Sequence, residues 1–371
     1  MEKEVLKITE TVPTPFLVIE ENVLRNNIRR IHDYANKHYF SVRPHIKTHK
    51  SLTIARMQLD SGAIGLAVAK VGEAEVMAGL DPVDLTVAYP AVGQTRADRL
   101  AKLSRQQNII RVAVDTEYVM GELASEAVKH NTIIGILVIF DAGLHRCGLV
   151  DPNQLVKLAR YAEAHPGLRF DGIQMYFGHL YGDAARDPQS FEQINKFWEP
   201  AYEALCNAGL KPETVSSGST PSLENTHLVR HINDVCVGTA VLNDYFVLKF
   251  NHCAIEDCAA RVVATVVSDV VPGQIIIDAG SKALSAKQLL RHENLEMGYI
   301  VEYPDARITR LHEEHGWVDV SHCNDPPKVG ARLSIIPVNI SLCVNLYDYF
   351  YLITCGGSLQ KERVDARGCL V

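Results

Sequence analysis

The chain has 371 residues, of which 47% are hydrophobic and 22% are charged, and these values predict a globular protein with two domains or with one barrel and an appendage. The formal net charge of -7 provides no basic surface for a nucleic-acid backbone, so we expect a small molecule as the partner. The amino terminus lacks the apolar core of a signal peptide, and no apolar run reaches the roughly 18 residues of a membrane span. The nine scattered cysteines form no CxxC pair and are typical of free thiols, so we predict a cytoplasmic protein.

Apolar segments rich in Val, Ile and Leu alternate with helical patterns from about residue 40 to residue 245. They lack strict alternation, which is typical of strands buried on both faces of a parallel sheet. The predicted strands are Ser41–Lys47, Ile64–Val71, Asp84–Pro90, Ile109–Asp115, Ile133–Phe140, Arg169–Phe177, Glu213–Ser217 and Asp234–Leu242. About eight successive βα units predict a closed (β/α)8 TIM-type barrel, with an open doubly wound sheet as the alternative.

The pattern changes on both sides of this region. After residue 245, strands separated by turns predict a mostly antiparallel β-domain over residues 246–371, with one short helical stretch around Lys287–Glu296. The predicted strands of that domain are Val262–Val271, Gln274–Ile277, Ala306–Leu311 and Tyr349–Ile353. Residues 1–20 contain an early strand, Phe16–Glu20, and are predicted to join the β-domain. The barrel takes residues 21–245 and starts with a helix from about Glu21 to His38.

The end of the first barrel strand carries the first candidate for chemistry. Active sites of parallel barrels are built at the carboxyl ends of the strands, and this strand runs into Pro44–Lys50, with the sequence PHIKTHK. Lys47 lies two residues after His45 and two before His49. Desolvation and nearby positive charge lower the pKa of a lysine at such a place, and the neutral amine is an imine-forming nucleophile. Lys50 falls at the start of the next helix and is interpreted as a surface or phosphate-facing residue.

The fifth and sixth strands end in further polar segments. In Asp141–Gly148, DAGLHRCG, two glycines bracket Arg146, as expected where backbone approaches a partner closely. An anion or an aromatic hydroxyl suits that guanidinium, and a structural ion pair is the alternative. In Gly178–Gly182, GHLYG, His179 is a candidate acid, base or stacking partner of a planar cofactor, and Tyr181 is included in the predicted cofactor site.

The seventh and eighth strands end in small residues. Ser217, Gly218, Ser219 and Thr220 lead into a helix with a proline near its first turn, and this pattern predicts an anion-binding nest, with a serine-rich helix cap as the alternative. Barrels frequently bind phosphate at the loops after these two strands, so Gly238 and Thr239 join the nest. The chain has no GxxxxGK[ST] sequence, which argues against a nucleoside triphosphate. A lysine and a phosphate nest together favour pyridoxal phosphate, which supplies an electron sink at the amino-acid α-carbon.

These motifs, together with DAGSKALS at Asp278–Ser285 and EEHG at Glu313–Gly316, resemble the D-threonine aldolase and D-serine dehydratase family over most of the chain. That family is similar in fold to alanine racemase. The resemblance implies a pyridoxal-phosphate barrel, a β-domain and a homodimer with active sites at the subunit interface. It implies a D-amino acid as substrate.

The resemblance also implies a role for each site residue. Lys47 would hold pyridoxal phosphate as a Schiff base, and Arg146 would lie beside the pyridine hydroxyl. The expected phosphate ligands are Ser217, Gly218, Ser219, Gly238 and Thr239, and the rest of the predicted cofactor site is His45, His179, Tyr181 and Thr220. Lys47, Arg146 and His179 are the predicted catalytic residues. The implied reaction is retro-aldol cleavage of a D-β-hydroxy amino acid to glycine and an aldehyde. Dehydration, racemisation and non-catalytic binding of the cofactor are the alternatives.

Two positions depart from the family pattern. Where the family usually places a divalent metal on a histidine and, two residues later, on an aspartate or cysteine, this chain has Asn339 and Ser341. Neutral amide and hydroxyl groups are poor ligands for zinc or manganese, so the sequence predicts no metal site, with a site rebuilt around Cys343 as the alternative. Cys236 stands near the position at which alanine racemases have an arginine that faces the pyridine nitrogen, and a thiol cannot supply that permanent charge.

Overall fold

The computed structural model describes residues 2–80, 82–106, 108–291 and 294–371. The strands, numbered in chain order, are β1 (Phe16–Glu20), β2 (Ser41–Val42), β3 (Leu66–Val68), β4 (Asp84–Val87), β5 (Ile109–Val114), β6 (Ile134–Ile139), β7 (Leu168–Gln174), β8 (Thr214–Ser217), β9 (Asp234–Val235), β10 (Ala260–Ser268), β11 (Gln274–Ile277), β12 (Leu289–Arg291), β13 (Asn294–Glu296), β14 (Gly298–Ile300), β15 (Arg307–Leu311), β16 (Gly316–Asp319), β17 (Arg332–Pro337), β18 (Tyr349–Ile353) and β19 (Leu359–Arg363). The helices are α1 (Glu2–Ile8), α2 (Glu21–Lys37), α3 (Leu52–Asp60), α4 (Val71–Met77), α5 (Gln94–Arg105), α6 (Glu117–Lys129), α7 (Pro152–Ala164), α8 (Pro188–Asn207), α9 (Tyr245–Lys249), α10 (Ser281–Leu284) and α11 (Ile340–Val344).

These elements form two compact units that alternate along the chain. The barrel unit combines Arg29–Lys47, Ile54–Gly238 and Gly368–Val371, and the β unit combines Met1–Ile28, Thr48–Thr53 and Thr239–Arg367. The division of the chain at residues 20 and 245 stays a prediction. Within the described residues, no helix has the length and apolar character needed to cross a membrane.

The barrel unit is built on eight parallel strands in the order β2-β9-β8-β7-β6-β5-β4-β3. A parallel bridge between His45 and Ala67 joins the two edge strands, where the Ala67 N–H donates to the Pro44 carbonyl at 2.9 Å. Strand β6, at the centre, is buried at every position and reads IGILVI, as a strand covered on both faces should. The prediction of a (β/α)8 barrel is therefore confirmed.

Charged side chains pack across the amino-terminal end of the barrel. Arg43, just after β2, binds Asp84 of β4 at 2.5 Å and Asp234 of β9 at 3.2 Å, and Arg111 of β5 binds Asp84 and also Asp171 of β7, the latter at 2.6 Å. Asp171 and Asp234 each expose only 2% of their side chains, so the charges are compensated within the network. The strands are thereby linked through their side chains as well as through the backbone ladder.

The β unit is dominated by antiparallel pairing. Strand β10 pairs with β1, β11 and β17, and β1 also pairs in parallel with β18. The helix predicted around Lys287–Glu296 is wrong, because β12 and β13 form a hairpin there with Leu289 opposite Glu296. A segment of this length is too short for its hydrophobic pattern to distinguish a helix from a strand. The pairing between β12 and β13 therefore determines the structure here. The mostly antiparallel character that we predicted for this region is confirmed.

Candidate active site

Lys47 lies at the carboxyl-terminal end of the barrel, in a short 3-10 turn, Ile46–Thr48. The side chain of His45 holds this turn, because its Nδ1 accepts the Lys47 N–H at 3.3 Å, and the His45 N–H donates to the Val237 carbonyl at 2.9 Å. Burial lowers the pKa of Lys47, and the positive charge of Arg146 acts in the same direction. A larger fraction of the amine is therefore neutral and nucleophilic than in an exposed lysine.

Tyr176, which follows β7, brings two of the predicted catalytic residues together. The Lys47 Nζ lies 5.7 Å from the centre of its ring, and the Arg146 guanidinium carbon lies 4.9 Å from the same centre. A side chain at Gly178 would overlap the Tyr176 ring, so the glycine lets the ring fold back over the chain. We did not identify Tyr176 from the sequence. The sequence feature that could have identified Tyr176 is Gly178, which stands two residues after this aromatic residue at the end of a strand.

The loop that carries Arg146 is shaped by Asp141. One carboxylate oxygen accepts the N–H groups of Gly143 and His145, both at 3.0 Å, and the other lies 2.9 Å from the His145 Nδ1. Burial raises the pKa of Asp141, but these hydrogen bonds outweigh it and the net pKa is lowered. The ionised carboxylate therefore fixes the loop, and the Gly148 N–H adds a bond to Asp115 at 3.0 Å.

His179 lies against the same loop. A β-carbon on Gly143 would stand 3.2 Å from the His179 Nε2, so the absence of a side chain lets the ring approach the backbone. The His179 Nδ1 is buried and has no hydrogen-bond partner within the described residues. Burial lowers the pKa of His179, so the ring is neutral at neutral pH. Tyr181, two residues further on, exposes 46% of its surface and lies less deeply.

The predicted anion nest lies at the end of β8. The Ser217 Oγ is buried without a hydrogen-bond partner in the described chain, and Gly218 adopts a φ of +127°, which side chains rarely tolerate. The Ser219 Oγ is 2.8 Å from the Ser222 Oγ, and Thr220 is half-buried beside it. The Cys236 N–H donates to the Ser217 carbonyl at 2.9 Å, so the segment leading to Gly238 runs alongside the nest. An unpaired buried hydroxyl beside a strained glycine suits a bound anion.

Backbone bonds connect the nest to Lys47. The segment after β9 bonds to Ser217 on one side through Cys236 and to His45 on the other side through Val237. The nest and Lys47 are thus two strand positions apart, or roughly 10 Å. The barrel unit therefore brings Lys47, Arg146, His179, and the Ser217–Ser219 nest to one end. Thr239 belongs to the β unit, where its carbonyl accepts the N–H groups of Leu242 and Asn243 at 3.0 and 2.7 Å.

The positions at which the resemblance implies a metal make other contacts within the β unit. The Asn339 Oδ1 caps α11 by accepting the Leu342 N–H at 2.9 Å, and the Ser341 Oγ is 3.2 Å from the Thr48 Oγ1. Cys343 is buried, its thiol donates to the Ala283 carbonyl at 3.1 Å, and burial raises its pKa beyond the physiological range. A neutral amide, a hydroxyl and a protonated thiol do not fit a zinc or manganese site.

One other group of metal-binding side chains occurs among the described residues. Atoms of Asp98, Glu126 and His130 lie within 4.8 Å of one another on α5 and α6. Lys102 binds Asp98 at 2.6 Å, and Lys129 binds Glu126 at 2.9 Å. The lysines already compensate the carboxylates, so the group is an ion-pair cluster.

Comparison with known proteins gives matches along nearly the whole chain. The model of the alanine racemase N-terminal domain matches residues 19–245, and that of the putative serine dehydratase domain matches residues 259–353. A 3-hydroxy-D-aspartate aldolase of Paracoccus denitrificans is 29% identical over 96% of this chain and 92% of its own length. A D-threonine aldolase of an Arthrobacter species is 28% identical over 96% of this chain and 93% of its own length.

A solved structure gives the same result for the fold. The crystal structure of D-threonine aldolase from Filomicrobium marinum superimposes with a TM-score of 0.88 at 28% identity and covers 97% of both chains. The alanine racemase model covers more than half of the chain and all eight barrel strands. This chain therefore belongs to the family of the alanine racemase N-terminal domain.

Proposed function

We propose that this protein is a pyridoxal-phosphate-dependent lyase that cleaves a D-β-hydroxy amino acid to glycine and an aldehyde. The observation that carries the proposal is the convergence of a buried lysine, an arginine and an anion nest at one end of the barrel. Two relatives that each match 96% of the chain support it, because one is named as a 3-hydroxy-D-aspartate aldolase and the other as a D-threonine aldolase.

The residues present fit the proposed cofactor. The Ser217 hydroxyl and the His179 Nδ1 are buried without partners in the described chain, and each needs a hydrogen bond that a bound polar group would supply. Lys47 would hold pyridoxal phosphate covalently through Nζ. Ser217, Gly218, Ser219 and Gly238 would hold its phosphate. Thr220 and Thr239 as phosphate ligands, and His45 and Tyr181 as cofactor contacts, remain sequence predictions.

The chain's own residues supply the binding and the proton transfers. Pyridoxal phosphate, when bound, supplies an electron sink for the carbanion that forms at the α-carbon of an amino acid. The Lys47 amine, whose pKa is lowered by burial, can accept and return a proton at Nζ. The neutral His179 can accept a proton at its unpartnered Nδ1, and the fixed charge of Arg146 can orient an anionic or hydroxyl group.

A product analysis separates the proposed reaction from its alternatives. Full-length protein loaded with pyridoxal phosphate is incubated with D-threonine, with L-threonine and with a panel of other D-amino acids. The proposal expects glycine and acetaldehyde from D-threonine or from a related D-β-hydroxy amino acid. Formation of 2-oxobutanoate would favour the dehydratase, which the match to the serine dehydratase model supports as the second candidate. Formation of L-allo-threonine, the α-carbon epimer of D-threonine, would favour a racemase, and a loaded protein that converts none of the panel would be a cofactor-binding protein only.

Removal of divalent metals should leave the activity largely unchanged. The physical reason is the poor ligand set of Asn339, Ser341 and Cys343, each of which already has a partner within the β unit. The measurement is the rate of product formation after dialysis against a chelator, compared with a mock-dialysed sample. Complete loss of activity that manganese restores would show that a metal site exists elsewhere.

We also propose a homodimer with shared active sites, as the family resemblance implies. Light scattering coupled to gel filtration should give twice the 41.1 kDa mass of the chain. A fully active monomer would contradict this proposal.

A further inference from the structure

A buried carboxylate lies beside the Lys47 turn and has no part in the proposed reaction. Glu73, in the first turn of α4, exposes only 1% of its surface. Buried carboxylates are rare because desolvation of the charge is costly, so such a group needs compensating donors. One donor is the Ala69 N–H, which lies 2.6 Å from the Glu73 Oε2. The Glu73 carboxylate is therefore held against the loop between β3 and α4.

Strand pairing places the segment that binds this carboxylate next to the segment that carries Lys47. The parallel bridge pairs His45 with Ala67, and each segment then leaves the barrel, one into the turn that contains Lys47 and the other into the loop that contains Ala69. Neighbouring strands are about 4.8 Å apart, which is within the reach of a lysine and a glutamate side chain. The Glu73 carboxylate is bound to the Ala69 N–H and therefore lies on the segment adjacent to the Lys47 turn.

The neighbouring segment leaves α4 little freedom to move the carboxylate away. The Gly72 N–H donates to the Val371 carbonyl at 2.8 Å, and a β-carbon on Gly72 would stand 2.8 Å from the same oxygen. The start of α4 is therefore packed against the segment Gly368–Val371. Only glycine fits at this contact.

Within the described part of the chain, the other charged or titratable groups that act on Lys47 do not provide a competing anion. Arg146 is a cation, and Tyr176 presents its ring face at 5.7 Å. Cys236 would attract the ammonium only as a thiolate, and burial raises the pKa of this thiol to about 12. His45 accepts the backbone N–H of Lys47. Glu73 is the carboxylate whose charge raises the pKa of Lys47, whereas burial and Arg146 lower it.

We propose that Glu73 is a positioning residue for Lys47, with a carboxylate that holds the ammonium form of this lysine at the barrel mouth. The proposal rests on the proposed function only because that function makes Lys47 the residue that binds the cofactor and transfers the proton. Glu73 would limit how far burial and Arg146 deprotonate the lysine, so that Nζ can both accept and return a proton near neutral pH.

The test measures the protonation of Lys47 without using activity. Full-length protein is freed of carbonyl compounds with hydroxylamine, and the rate of acetylation of Lys47 by acetic anhydride is followed by mass spectrometry as a function of pH. In Glu73→Gln the midpoint of the profile should fall by about one pH unit, because a negative charge that raises the pKa of Lys47 is lost. Below both midpoints, Lys47 should react about 10-fold faster in the variant than in the parent.

A matched control lies on the same helix. Glu75 is exposed and binds Arg99 at 2.6 Å, so Glu75→Gln should leave the Lys47 midpoint unchanged. If Glu73→Gln does not fold, Glu73→Asp keeps the charge, draws it back by one methylene and should give a smaller downward shift. A parent-like midpoint in the Glu73 variant, or an equal shift in Glu75→Gln, would overturn the proposal. Because the cofactor is absent from the assay, failure here is distinct from failure of Lys47 to bind pyridoxal phosphate.

Discussion

Replacement of Lys47 with alanine should abolish the visible absorbance of a lysine–pyridoxal imine and reduce activity by at least about 10³-fold. The side chain is the only part of the predicted catalytic set that can bind an aldehyde covalently, and its pKa is lowered by burial and by Arg146. The measurement is the absorption spectrum after incubation with pyridoxal phosphate and exhaustive dialysis, with activity on a D-β-hydroxy amino acid recorded on the same sample.

Lys50 provides the control for this prediction. It is the second lysine of the same motif and is 5% exposed, and its Nζ donates to the Asn345 Oδ1 at 2.9 Å within the β unit. Lys50→Gln keeps a polar group there and should retain the imine absorbance. A Lys47→Ala protein that stays yellow after dialysis, or a Lys50→Gln protein that becomes colourless, would show that a lysine other than Lys47 forms the covalent link.

The succession of the barrel strands could be predicted from the sequence, but the lengths of several of them could not. We predicted a strand over Ser41–Lys47, and the regular ladder ends at Val42 because Pro44 has no N–H to donate. We predicted Asp234–Leu242, and the ladder ends at Val235, before a 3-10 turn at Thr239–Val241. Both strands end where the backbone turns toward the candidate site, so the apolar pattern overestimated their lengths.

The candidate site was also predicted only in part. Motifs at strand ends identified Lys47, Arg146, His179 and Ser217, because a barrel collects the ends of its strands. Tyr176 was missed because an aromatic residue at a strand end is more often part of the core. The placement of the Glu73 loop next to the Lys47 turn depends on the pairing of His45 with Ala67, which no local sequence pattern contains.

Replacement of Asp171 with asparagine should lower the free energy of unfolding of the barrel unit by about 3–5 kcal/mol. The Asp171 side chain is 2% exposed, its Oδ2 forms an ion pair with the Arg111 Nε at 2.6 Å, and it accepts a hydrogen bond from the Arg169 Nη2 at 2.9 Å. Asparagine fills the same space but removes the charge, so Arg111, whose side chain is only 15% exposed, loses one of its two carboxylate partners. The network would then hold an uncompensated charge. Asp171 lies at the amino-terminal end of the barrel, so the variant should still form the imine when it is folded.

The measurement for Asp171→Asn is urea unfolding followed by the fluorescence of Trp198, which is fully buried in the barrel unit. Asp183 gives the matched control, because it pairs with Arg186 at 3.2 Å but is fully exposed, and Asp183→Asn should cause no measurable change. Equal stability of the two variants would mean that the buried network is dispensable. Loss of imine formation in folded Asp171→Asn would instead mean that the network orients the opposite end of the barrel.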